Sequence, residues 1–100
     1  MITKDKLSKE ECEQRIKCLS DPDIARHLEI EKVYGDTRTN ELYVYSMGII
    51  KGNNKEIITM VAKCESGNGT WIYSGNNQPA IDQARRLLED MVAKSMTGVR

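Results

Sequence analysis

The sequence predicts an α+β fold: one antiparallel meander sheet with helices at its two ends. Three observations carry that expectation. A capping signature at Ser8 opens an apolar stripe at helical spacing. Residues 28–73 then alternate with the period of strands and are broken by Gly/Asn turns. A final stretch from Gln78 returns to the helical period. The expected order is α(α)ββββα over one small domain, residues 1–100. It comprises an N-terminal helix, a short second helix, a three- to four-stranded sheet and a C-terminal amphipathic helix.

Ser8 followed by Glu11 reads as a capping box, in which side chain and backbone satisfy one another reciprocally. Leu7 and Cys12 have the spacing of a hydrophobic staple, and Cys12, Ile16 and Leu19 continue one stripe, so residues 9–19 are expected to be helical. Asp21-Pro22-Asp23 stops and restarts the chain, since proline fits a first helical turn. Ile24, Ala25 and Leu28 then suit one or two turns.

Strand character is expected from Leu28 through Glu29, Ile30 and Glu31 to Val33 and Tyr34, with a turn at Gly35-Asp36. The clearest strand is 41–50, rich in β-branched and aromatic side chains. Gly52-Asn53-Asn54 turns into a strand over 56–64. Ser66-Gly67-Asn68-Gly69 turns into Thr70-Trp71-Ile72-Tyr73. Connections this short imply an antiparallel meander. Ile81, Ala84, Leu88, Met91 and Val92 place a helix over 78–95, with Pro79 in its first turn.

Composition narrows the function classes. Lys plus Arg number 15 and Asp plus Glu number 15, for a formal net charge of zero. The two signs are mixed along the chain, with a slight acidic excess only over residues 20–34. Neither the basic face of a nucleic-acid binder nor the acidic field of a DNA mimic is written here. No apolar run reaches the roughly 18 residues of a membrane span. The charged start, Met1 to Lys6, lacks the apolar stretch of a signal peptide. Three cysteines without framework spacing point to a reducing, cytoplasmic setting.

No motif carries catalysis. Cys12, Cys18, Cys64 and His27 would just suffice for zinc, yet Cys12 and Cys18 lack the close pairing that pre-organises a chelate. Cys64 shares a strand face with Ile58, Met60 and Ala62, which suits packing. His27 has no nucleophile motif beside it, and Asp21 and Asp23 bracket a proline where helix capping employs one of them. Glu29 and Glu31 read as a solvated strand face. Gly67-Asn68-Gly69 joins strands and is no phosphate loop. Metal, cofactor and enzyme activity are therefore not expected.

The α-β-β-β-α core resembles the double-stranded-RNA-binding domain in element order. That family sets a lysine cluster at the start of its last helix to grip phosphates. Here the stretch is Asn76-Asn77-Gln78-Pro79-Ala80, without a basic residue, and Arg85 and Arg86 lie further along. The resemblance makes nucleic-acid binding the rival expectation to a protein partner.

Both faces of the sheet carry apolar residues. Leu42, Val44 and Ile50, with Ser46 and Gly48 between, lie opposite Tyr43, Tyr45, Met47 and Ile49. Two helices and a short third can cover one face and scarcely both. Interface cores favour Tyr, Trp and Met. The aromatic face, comprising Tyr43, Tyr45, Met47, Trp71 and Tyr73, is therefore the expected contact surface, the alternative being that it is core. The expected function is non-enzymatic binding of another protein or a second copy of the chain. By analogy of size and style, such a module resembles small regulators and phage or mobile-element inhibitors of host machinery.

Overall fold

The computed structural model describes residues 1–37, 42–65 and 67–97. Its element order is β1 (Ile2–Leu7), α1 (Lys9–Leu19), α2 (Pro22–His27), β2 (Ile30–Thr37), β3 (Leu42–Lys51), β4 (Asn54–Glu65), β5 (Asn68–Ser74) and α3 (Gln78–Thr97). The α+β class, both N-terminal helices, the four-stranded antiparallel meander and the C-terminal helix are all present. A fifth strand joins them, because β1 pairs antiparallel with β5 and the sheet order is β1-β5-β4-β3-β2.

Local chemistry sets the element ends. Ser8 caps α1, its Oγ accepting from the Glu11 backbone N–H at 3.1 Å while the Glu11 carboxylate accepts from the Ser8 N–H at 3.3 Å. Asp21 caps α2, accepting from the Asp23 N–H at 2.9 Å, with Pro22 in the first turn. The β3–β4 hairpin turns on Gly52-Asn53, with Lys51 opposite Asn54. Gly52 has φ 61, and a positive φ at only the first of two central residues is the type II′ pattern that suits strand twist.

Two local expectations change. Leu28 is the buried C-cap of α2 rather than a strand residue, and Glu29 follows it at φ 53, the left-handed conformation that ends helices. Gly35-Asp36 lies within β2, where register shifts between Tyr34 and Thr37 replace the expected turn. Glu41 and Ser66 lie outside the described residues.

The strand missed in the sequence, β1, is alternately turned in and out. Thr3, Asp5 and Leu7 face inward and Ile2, Lys4 and Lys6 outward. Asp5 is held by Arg85 of α3 through contacts of 2.7 and 3.0 Å, and Thr3 Oγ1 accepts from Gln78 Nε2 at 3.1 Å. Tertiary pairing and these contacts overcome the weak strand propensity of Lys and Asp.

All three helices lie on one side of the sheet. Cys12, Leu19, Ile81, Ala84, Leu88 and Val92 pack against Tyr45, Met47, Ile49, Ile58, Met60, Ala62, Trp71 and Tyr73 in one buried cluster. The inward strand positions are odd in β3 and β5 and even in β4, as the antiparallel register requires.

A covalent link completes the core. Cys12 of α1 and Cys64 of β4 form a disulfide, with Cα atoms 5.8 Å apart. The sequence assigns the two cysteines separately to a staple and a strand face; Cys12 is buried at the fourth position of α1, and Cys64 lies on the inward face of β4 with Ile58, Met60 and Ala62. The pairing of the two cysteines had no signal in spacing, because it joins elements 52 residues apart. Gly69 makes the approach possible. It lies opposite Cys64 in the register, and a Cβ there would fall 2.5 Å from Cys12 Cβ and 2.9 Å from the Ser8 carbonyl oxygen.

Candidate functional site: the open face of the sheet

The expected aromatic contact surface is the interior. Tyr45 is 3% exposed and Met47, Trp71 and Tyr73 are each 0% exposed, beneath α1 and α3. Tyr43 alone of the five is half-buried, at the margin of the cluster. The physical reason is that this face carries the larger and less interrupted apolar area, so the helices settle there.

These side chains form an aromatic stack under α1. The Tyr43 and Tyr45 rings are 6.4 Å apart and near-parallel, and Tyr45 and Trp71 are 6.1 Å apart. Arg15 enters the same region from α1, its guanidinium 5.5 Å from the centre of the Trp71 ring. Its Nη1 donates to the Tyr73 hydroxyl at 3.0 Å, and Nη2 lies 3.8 Å from Glu89 of α3. These partners compensate for the burial of a charge. Burial pushes the Tyr73 hydroxyl up to about 12, the Arg15 cation acting against that rise. The arrangement locks α1, α3 and β5 together, and its geometry is that of a core.

Among the described residues, no helix lies over the opposite face. Antiparallel register sets its outward residues in rows across four strands. Lys4, Ile72, Val61 and Val44 form the central row. Ile2, Ser74, Thr59 and Ser46 form the row on one side, and Lys6, Thr70, Lys63 and Leu42 the row on the other. Ile57 continues the surface beyond Thr59. Exposure is high at its margins, 71% for Ile2, 58% for Ile50 and 54% for Ile57. An aliphatic strip thus runs across the sheet, with Lys4 and Lys6 projecting at the β1 edge while Asp5 between them turns inward to Arg85.

A charged pair crosses this face. Lys55 Nζ lies 2.6 Å from Glu29 Oε1, its stem passing over Gly48. A Cβ at position 48 would fall on the Lys55 Cε, so glycine leaves the corridor for that stem. Glu29, expected on a solvated strand face, instead sits in the α2–β2 connection and holds this lysine.

The residues considered for zinc are dispersed. Cys12 and Cys64 are bonded to each other, Cys18 is buried as a free thiol, and His27 lies on exposed α2. Among the described residues, no group of three or more His, Cys, Asp or Glu is gathered for a metal, and no helix is long and apolar enough to cross a membrane. Compared with known proteins, the chain matches no family model, no curated protein and no solved structure.

Proposed function

We propose that the protein is a binding module that engages another protein through the open face of its sheet. The observation that supports this reading is the aliphatic row Ile72–Val61–Val44, half-buried and with no helix over it among the described residues, together with Ile2, Ile57 and Ile50 exposed at the margins of the same face. Apolar residues gathered on one side of a small domain point to a contact site. The fitting partner has an apolar surface of its own, with carboxylates set to meet Lys4 and Lys6 at the β1 edge. On this reading the module acts by occupancy, as a regulator or inhibitor does, in a cytoplasmic setting.

The rival nucleic-acid reading has less support. Single-stranded bases stack on exposed aromatic rings. Tyr43, Tyr45, Trp71 and Tyr73 all belong to the helix-covered side. The lysines of the open face remain the one feature in its favour.

Affinity capture with four baits tests the proposal: the native chain, Val61→Glu, Ile57→Glu and, on the helix side, Lys17→Glu. A protein retained by the native chain and by Lys17→Glu, and lost from both open-face variants, is the expected result. Equal retention by all four would overturn it. Retention of RNA with a steep loss of affinity as salt rises would move the assignment to nucleic acid. Sedimentation of the native chain alone separates self-association from a different partner.

A further inference from the structure

We infer that the Cys12–Cys64 disulfide is a thiol-exchange site, opened from solvent at Cys64 by a small-molecule thiol such as glutathione. The two ends of the bond have different surroundings. Cys64 lines a notch of about 230 Å³ between α1 and the sheet, together with Glu13, Ile16, Lys17 and Tyr43. Cys12 does not line it. Both cysteines belong to the buried core, Cys64 at 2% exposure and Cys12 at 0%, and the Cys12 Cβ is seated against Gly69, next to the Ser8 carbonyl. Access decides which sulfur of a disulfide a thiolate attacks. The notch brings a small thiol up to the Cys64 side of the bond, whereas Gly69 and the Ser8 carbonyl close the Cys12 side.

Charge at the notch is mixed. Lys17 draws an anionic thiolate toward the opening, and Glu13 on the same helix offsets part of that attraction. Ile16 and Tyr43, both half-buried, form the apolar part of the wall. The third cysteine provides an internal control. Cys18 is buried away from the notch, and burial pushes its thiol up, with Ser95 acting against that rise.

The exchange balances in two steps. A thiolate attacks Cys64 Sγ, a mixed disulfide forms there, and the Cys12–Cys64 bond breaks with Cys12 leaving as thiolate and taking a proton. A second thiolate then attacks the small-molecule sulfur of the mixed disulfide. Cys64 is released as thiolate and protonated, and the small thiol leaves as its own disulfide. Two electrons pass from two thiols to the protein. The reverse sequence, starting from the oxidised small molecule, closes the bond. Reduction frees the first turn of α1 from β4 while leaving its capping box intact.

Peptide mapping of the native chain tests this without a substitution. The oxidised chain is exposed to reduced glutathione under folding conditions, quenched in acid, alkylated and mapped. The expected result is a glutathione adduct on Cys64 in about tenfold or greater excess over Cys12, with Cys18 unmodified. Two variants add a second readout. Cys12→Ala challenged with oxidised glutathione takes up one adduct at Cys64, whereas Cys64→Ala leaves Cys12 unreacted until denaturant is added. Three results would each overturn the assignment: comparable adducts on Cys12 and Cys64, exchange that begins only where the chain unfolds, or Cys12 and Cys64 remaining free thiols in oxidised glutathione.

Discussion

The two faces of the sheet come from the same strands, residue by residue, and have opposite fates. Trp71 is enclosed between Tyr45 and Arg15, while Ile72, its neighbour in sequence, lies in the open aliphatic row. Tyr45 and Met47 are buried under helices, while Val44 and Ser46 between and beside them face outward. Across the middle of the sheet the inward positions Tyr43 to Ile49, Ile58 to Cys64 and Gly69 to Tyr73 hold no polar side chain smaller than tyrosine, whereas Ser46, Thr59, Thr70 and Ser74 interrupt the outward set. The lesson is that alternation alone identifies two faces, and the summed apolar area on each decides which one the helices take.

The sharpest test of that contrast compares adjacent residues. Trp71→Ala should cost about 3–5 kcal/mol, the usual loss for a large aromatic removed from a packed core. Ile72→Ala should cost only about 1 kcal/mol, nearer the range of surface substitutions. Equal losses in chemical denaturation would mean that the two sides are alike in burial.

The disulfide anchors only the covered side. Replacing Cys12 and Cys64 together by alanine should lower stability by about 4 kcal/mol, as the chain-entropy relation gives for a loop of this span. Partner capture through the open face should survive at temperatures where the variant remains folded. Loss of capture by a fully folded variant would show that the two sides are coupled.

Alkaline pH probes the same interior through Tyr73. Its folded value of about 12 lies above the ordinary value of 10.0, so folding favours the neutral hydroxyl. The associated stability is fully present below pH 10 and is lost as pH rises through 12, in total about 2–3 kcal/mol. Tyr73→Phe should cost about 1 kcal/mol near neutrality through the lost Arg15 hydrogen bond, and should flatten the alkaline decline. Parallel pH profiles for the native chain and the variant would assign the decline to other groups.

The smallest effect is expected at Gly48 on the open side. Alanine there displaces the Lys55 stem and breaks its pair with Glu29, costing under about 1 kcal/mol because both charged groups are about half exposed. A larger loss in denaturant titration would indicate a packed rather than an open surface.

Legibility in the sequence followed the range of the interactions. The Ser8–Glu11 box, the Asp21 cap and the Gly52 turn are local, and their chemistry is written within a few residues. The helix period of α3 and the faces of β3 and β4 were equally readable. By contrast, β1 was hidden because Lys4, Asp5 and Lys6 do not resemble a strand until β5 and Arg85 are placed beside them. The Cys12–Cys64 bond and the Glu29–Lys55 pair depend likewise on distant registers. The choice between faces had a usable signal. The serine and threonine positions of the outward rows are written in the sequence and mark that face as the wetter one, whereas aromatic content alone points the other way.

The pairing of β1 with β5 also orders the assembly of the chain in time. Every other neighbouring pair in the sheet is consecutive in sequence, and can close as a hairpin or short meander once its two strands exist. Strand β1 is made first, yet its partner is the last strand of all, so its docking must await the completed β2–β5 meander. Until then Ile2 and Leu7 stay exposed on the nascent chain, and the β5 edge stays open to any other strand, including β1 of a second copy. Slow folding at high protein concentration therefore favours exchange of this one strand between chains.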